Sequence, residues 1–390
     1  MENSFQIART PYLIFGPGSR MQLPALAGRC GRKILLLTGS KSLEKSGFLV
    51  ELKQKFRQAD CIFKTAGIQG EPSPDLIDQL VQEFRSWKPD LVIAVGGGSV
   101  LDSGKAIAAM LPSGEPALQY LEGIGTKKHH GLKTPMIAVP TTAGTGSEAT
   151  KNAVLSQVGE KGFKKSLRHD KFVPEIAVLD PELTFSCPPE TTAASGMDCL
   201  TQLIESYLST TANPFTDALA LPAIADVLKY LPIVFNRPVD IEGRAAMQYA
   251  AYSSGITLAG AGLGTIHGIA SALGGIVDVP HGVICGTMMA RINEITLQKL
   301  LASEPSGIAM KKYITIAELI SARNKITYED CTYLIPAYLS ELTEKLQIPK
   351  LSKFGVQHEH ILKAIPLTEN KNNPVPLTFE ELKEALLNRL

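Results

Sequence analysis

Four residues in the second half of the chain carry the donor chemistry of a metal centre: Asp198, Gln202, His267 and His281. Asp198 and Gln202 stand four apart in SGMDCLTQLIE, a spacing that puts both on one face of a helix. His267 lies in GTIHGIA and His281 in VPHG, both apolar and glycine-rich. Two imidazoles and a carboxylate suit Fe2+ or Zn2+ with a position left open for substrate. The same residues also read as two hydrogen-bonded core histidines and a helix-capping aspartate, and spacing alone leaves both readings open. The other dense histidines, His129-His130 and His358-Glu359-His360, sit in charged stretches and read as solvated surface.

A second group of residues has the chemistry of an anion site. Gly96-Gly97-Gly98-Ser99-Val100-Leu101-Asp102-Ser103-Gly104-Lys105 follows an apolar run and opens a helical pattern. Glycines let backbone approach an anion, and a helix start supplies free N–H groups and partial positive charge. Ser99 is the expected N-cap. Pro140-Thr141-Thr142-Ala143-Gly144-Thr145-Gly146-Ser147-Glu148 follows a second apolar run and is rich in hydroxyls. Each loop alone also fits a tight turn or a cap without a ligand. Together, past two strands of one parallel sheet, they favour a nucleotide at the carboxyl edge. Neither loop ends in the Gly-Lys-Ser/Thr of a Walker A motif, and the first strand lacks GxGxxG.

The elements that would hold these groups divide the chain in two. Lys33–Thr38, Cys61–Thr65, Leu91–Val95, Met136–Val139 and Ile176–Leu179 read as strands. Helical patterns lie between them at Leu43–Ala59, Asp75–Trp87 and after Ser99. Short apolar runs without in/out alternation, separated by helices, indicate a parallel sheet covered on both faces. From about Pro188 onward the patterns are helical: Thr191–Leu208, Pro214–Tyr230, Ile241–Ala259, Ile266–Gly274 and, at the end, Phe379–Leu390. The expectation is an α/β dinucleotide-binding domain over residues 1–187 and an all-α domain over 188–390. Thr126–Lys133 reads as a solvated loop, and Asn370–Pro376 as a turn-rich link.

Composition narrows the classes. The chain has 390 residues, enough for two domains, with 44% hydrophobic and 20% charged residues. A net charge of +1 leaves no footprint for nucleic acid or an anionic membrane. No apolar stretch reads as long enough to span a bilayer, and MENSFQIARTP lacks the pattern of a signal peptide. Six scattered cysteines without a CxxC pair read as reduced thiols of a cytoplasmic protein.

In order along nearly the whole chain, these segments resemble the iron-containing (group III) alcohol dehydrogenase family. The resemblance is carried by FGPG, KILLLTG, Glu71-Pro72, GGGSVLDSGKAIA, PTTAGTGSE followed by Asn152, LDPELT, SGMDCLTQLIESY, HGIASALGG, VPHG and NPVPLT. It implies a nucleotide domain and a helical domain with a metal in the cleft between them, as in the dehydroquinate synthase-like architecture. By resemblance, Gly97, Gly98, Ser99 and Asp102 hold the pyrophosphate side of the cofactor. Thr141, Thr142, Thr145 and Lys164 line the rest of it. Asp198, His267 and His281 match family metal ligands. The implied activity is hydride transfer between NAD(P)H and a small aldehyde, ketone or alcohol, in a cytoplasmic homodimer or higher homo-oligomer.

Two positions depart from the family pattern. Gln202 and Ser271 stand where most iron-bearing relatives carry histidine. Gln202 offers a neutral carbonyl oxygen to the metal, and Ser271 becomes a candidate for moving the substrate proton, beside the ligand His267. The zinc-using glycerol dehydrogenases of the same superfamily manage with one aspartate and two histidines, so the metal is Fe2+ or Zn2+. Glu71, Asn152 and Cys285 are candidate lining residues.

The strand end Thr38-Gly39-Ser40-Lys41-Ser42 bears on cofactor choice. An acidic residue there binds the ribose 2′-hydroxyl of NAD and repels a 2′-phosphate. Gly39 removes the acid, while Ser40, Ser42 and Lys41 can meet a phosphate, so the expectation is NADP over NAD. Two other functions fit the same residues: a maleylacetate-reductase-like keto-acid reductase with little need of metal, and a catalytically weak nucleotide-binding paralogue.

Overall fold

Short apolar strands separated by helices build the first half. In this computed structural model, which describes residues 4–39 and 47–390, the elements begin with β1 (Tyr12–Phe15), α1 (Leu23–Cys30), β2 (Lys33–Gly39) and α2 (Phe48–Gln58). They continue with β3 (Ile62–Ile68), α3 (Pro74–Arg85), β4 (Leu91–Gly96), α4 (Gly98–Met110) and β5 (Met136–Pro140). A hairpin of β6 (Asn152–Gln157) and β7 (Phe163–Arg168) precedes β8 (Ile176–Leu179). The sheet runs β1-β8-β5-β4-β2-β3, with every pair parallel.

Alternate residues of one strand feed two different cores. Leu35, Leu37, Val92, Ala94, Met136 and Ala138 pack on one face with α3 and α4. Ile34, Leu36, Leu91, Ile93, Ile137 and Val139 pack on the other with α1 and α2. Burial on both faces explains why these runs read as continuously apolar.

From Pro189 on, the described residues form helices without strands: α5 (Pro189–Leu208), α6 (Pro214–Asn236), α7 (Ile241–Ala261), α8 (Thr265–Ile276), α9 (His281–Ser303), α10 (Ile308–Ser321), α11 (Tyr328–Lys345), α12 (His358–Ala364) and α13 (Phe379–Asn388). They enclose a third core centred on α5, α6, α8 and α9.

Several expectations need correction. β1 and the β6–β7 hairpin carry no clear signal. β1 is a four-residue edge strand with Tyr12 and Phe15 exposed. The hairpin strand FKKSLR buries only Leu167. The third strand runs three residues further than expected, to Ile68. The start of the helix expected from Leu43 lies outside the described residues. His129 is not solvated: it is buried, edge-on to Tyr120 and Phe172, while His130 is exposed. His358 is exposed, and His360 is half-buried, accepting the Gln357 N–H through Nδ1. One stretch does have the length and composition of a membrane span: α6, with 23 residues and a mean hydropathy of 1.7. It carries Asp217, Asp226 and Lys229 and lies between α5 and α7.

Candidate active site

A cavity of about 1230 Å³ opens between the sheet edge and the helices. It exceeds the roughly 300–1,000 Å³ of pockets for drug-sized ligands. One wall is backbone. β4 ends at Gly96, Gly97 is the N-cap of α4, and no side chain caps the helix. Ser99 therefore sits inside the first turn, not at the cap. A Cβ on Gly98 would lie 2.7 Å from Thr145 Cγ2, so the glycine turn and the threonine loop are in contact only because Gly98 has no side chain. Gly97, Gly98, Ser99, Thr142 and Thr145 all line the cavity, as does Gly39 at the end of β2. Thr141 does not: it is buried, and its N–H donates to the Gly96 carbonyl at 3.0 Å. Ser40 lies outside the described residues.

Asp102 braces the wall. Its Oδ1 accepts the Ser147 hydroxyl at 2.5 Å, and its Oδ2 accepts the Val154 N–H at 3.0 Å. Behind it, fully buried Lys105 donates to the Ser147 carbonyl at 2.9 Å and the Thr150 hydroxyl at 2.8 Å, and pairs with Asp102 at 3.0 Å. Burial pushes the Lys105 ammonium down, while Asp102 and Glu148 pull it back up. Burial also raises the Glu148 carboxyl to about 7. This polar clamp fixes α4, the PTTAGTGSE loop and the hairpin to one another. Gly146 closes it with φ +61 and a position where a Cβ would lie 2.5 Å from the Ala251 carbonyl of α7.

The opposite wall is made of side chains. Asp198 from mid-α5, His267 from the first turn of α8 and His281 from the first residue of α9 converge. Asp198 Oδ1 lies 3.4 Å from His267 Nε2 and 3.7 Å from His281 Nε2. Cys285 joins them: one donor atom from each of these four residues lies within 4.8 Å of the others. Asp198 Oδ1 and His281 Nδ1 are buried without a hydrogen-bond partner. An unpaired buried carboxylate oxygen facing imidazole nitrogens is costly unless a cation sits among them. The donor set fits a divalent ion.

Electrostatics sharpen this. Burial would raise the Asp198 carboxyl, but His281 and His267 outweigh it and hold it below its ordinary value. Burial, with Lys164, His267 and Lys371 nearby, pushes His281 down to about 3 despite Asp198, so its ring is neutral with a free lone pair. Burial opposes the charge on His267, yet Cys285, Glu205 and Asp198 raise it well above the ordinary histidine value.

Glu205 was not singled out in the sequence. It lies seven residues after Asp198 on the same face of α5, and that spacing was the available signal. Its Oε2 is 2.7 Å from His267 Nδ1, and its Oε1 accepts the Ile266 N–H at 2.6 Å. A carboxylate so placed would orient His267 toward a bound metal. Gln202 is near the cluster, with both ends of its amide engaged. Its Nε2 donates to Asp198 Oδ2 at 3.3 Å, and its Oε1 accepts the Ser254 hydroxyl at 2.7 Å. Ser271 lines the cavity and donates its hydroxyl to the His267 carbonyl at 2.8 Å. Lys164 bridges to Glu71 at 3.0 Å on the cleft wall, and Asn152 lines it too. Asn370–Pro376 is more than a link: Asn372 donates its N–H to Leu263 and accepts from Thr210, and Lys371 and Asn372 face the cavity.

A glycine-rich backbone edge faces a buried group of divalent-cation donors across one cavity, the arrangement a metal-assisted dehydrogenase would require. The model of the iron-containing alcohol dehydrogenase family matches residues 10–181, and that of its C-terminal part matches residues 192–389. An alcohol dehydrogenase of Thermococcus barophilus is 32% identical over 385 residues, covering 95% of this chain and 96% of the relative. An NADPH-dependent butanol dehydrogenase of Clostridium saccharobutylicum is 30% identical, with 97% and 96% covered. The iron-containing alcohol dehydrogenase structure from Thermococcus thioreducens superposes with a TM-score of 0.84 at 29% identity, covering 99% of each chain. The chain belongs to the iron-containing alcohol dehydrogenase family. It is an oxidoreductase of alcohols and their carbonyl counterparts that works with a nicotinamide nucleotide and a divalent ion.

Proposed function

We propose that the chain interconverts a small primary alcohol and its aldehyde with NADP(H) in preference to NAD(H), using an ion held by Asp198, His267 and His281. The observation that carries this is the convergence of the His267 and His281 rings on the buried, unpartnered Asp198 Oδ1 across the cavity from the glycine turn. A divalent ion bound there supplies Lewis acidity to the substrate oxygen, and the nicotinamide supplies or accepts the hydride.

The protein does the positioning. The first turn of α4, with Gly97, Gly98 and Ser99, offers N–H groups to the pyrophosphate, while Thr142, Thr145 and Lys164 line the path toward the donor cluster. Asp102 serves this wall as a brace, since both of its oxygens are already bonded to protein. Glu205 holds His267 in one orientation. Ser271 has committed its proton to the His267 carbonyl, so toward a substrate hydroxyl it acts as an acceptor. Gly39 supports the NADP preference: it lines the cavity at the end of β2 without the acidic group that would repel a 2′-phosphate.

Residues 1–187 and 188–390 act as the two domains. Six free cysteines fit the cytoplasm, and the exposed edge strand β1 fits a homodimer. The test is a panel of alcohols and aldehydes assayed with both nucleotides after metal analysis. Turnover of short primary alcohols by the metal-loaded protein supports the proposal. Turnover of keto acids alone by metal-free protein would replace it with the maleylacetate-reductase-like reading.

A further inference from the structure

We propose that Cys285 is a fourth ligand of the metal centre, and that its thiolate makes the site prefer zinc-type ions to iron(II). The inference rests on the proposed centre at Asp198, His267 and His281 and adds a residue to it. Cys285 stands four residues after His281, so the first turn of α9 presents both side chains on one face. Its Sγ lies 3.9 Å from His267 Nε2 and joins the donor group whose atoms fall within 4.8 Å of one another. The side chain is fully buried, with its Sγ turned toward that ring nitrogen.

Gln202 is badly placed for the same task. Its carbonyl oxygen is taken by the Ser254 hydroxyl, and its amide is turned to Asp198 Oδ2. Gln202 thus holds one carboxylate oxygen and leaves the other, Oδ1, facing the cluster. The remaining donor directed at that point is sulfur.

Chemistry completes the case. When an ion binds, the Cys285 thiol gives its proton to the medium and its sulfur donates a lone pair; no electron is transferred. The Asp198 carboxylate and the thiolate each bring a negative charge to a dication, which offsets the cost of burying it. Thiolate is a soft donor that suits zinc, whereas iron(II) sites with open positions are built from imidazole and carboxylate. Zinc expands to five-coordinate in catalytic sites, so a fourth side chain does not close the centre to substrate.

X-ray absorption on the zinc-loaded wild-type protein tests this without a variant. The expected spectrum has one sulfur scatterer at about 2.3 Å beside nitrogen and oxygen at about 2.0–2.2 Å. Cobalt-loaded wild type should show a near-ultraviolet thiolate-to-cobalt charge-transfer band. Cys285→Ser should still take up cobalt but lose the band, and Cys199→Ser should keep it. Should Cys285→Ser fail to fold, the zinc spectrum of the wild type still decides. Bound zinc with only nitrogen and oxygen neighbours, or a band that survives in Cys285→Ser, would overturn the role of Cys285 and leave the three-residue centre standing. Wild-type protein that binds neither ion would overturn the centre itself.

Discussion

The two walls of the cleft are built on opposite principles. The sheet-edge wall works through backbone: a glycine turn, an uncapped helix start and a hydroxyl loop, locked from behind by Lys105 and Asp102. The helical wall works through side chains that meet from three helices and are separated in sequence by up to 87 positions, from Asp198 to Cys285. A backbone site tolerates many changes provided no Cβ intrudes. A side-chain site tolerates almost none, because each removed donor leaves its neighbours buried and uncompensated. Substitutions on the two walls should therefore fail differently.

The largest effect is expected on the helical wall. His281→Ala should abolish stoichiometric metal binding and lower kcat/KM by about 10³-fold or more, since Lewis-acid assistance amounts to several kcal/mol. Metal content by plasma mass spectrometry together with steady-state kinetics checks it; a variant that kept both would show that His281 is a cleft residue and nothing more. Glu205→Gln comes next. Losing the carboxylate behind His267 should weaken metal affinity by roughly 10–100-fold while the fold persists. A metal-buffered titration gives the answer, and unchanged affinity would remove Glu205 from the account.

The sheet-edge wall should respond more mildly and through cofactor binding. A Cβ at 98 would press on Thr145, so Gly98→Ala should raise KM for the nucleotide about tenfold and leave metal content intact. Loss of metal in that variant would break the proposed independence of the walls. Gly39→Asp should have the smallest effect. A Cβ there would meet Val100 Cγ2 at 3.6 Å, an ordinary contact, so the strand end accepts the change. The preference should move toward NAD by about tenfold, roughly 1.4 kcal/mol. A wild type that already favours NADH would end the NADP assignment.

The same contrast explains what the sequence disclosed. The glycine turn and the PTTAGTGSE loop are contiguous and follow apolar strands, so their place at the sheet edge was legible from pattern. So was the change from strands to helices near Pro188. The donor wall was legible only as residue types, because no local pattern shows that α5, α8 and α9 point at one place. Glu205 and Cys285 repeat the helical spacing of Asp198 and His281, yet spacing gives the face without its partner. His129 misled because its neighbours are charged, while its own ring turns inward onto Phe172. The β6–β7 hairpin was hidden because it lies against α4 and α8 and needs little apolar alternation of its own.

Reconstitution bears most directly on the centre of this account. Chelated protein, confirmed metal-free, would be titrated with Zn2+ or Fe2+ while bound metal and alcohol-oxidising rate are followed together. Rate rising in proportion to bound ion and levelling at one per chain is the predicted result. Full activity in the metal-free protein would contradict it.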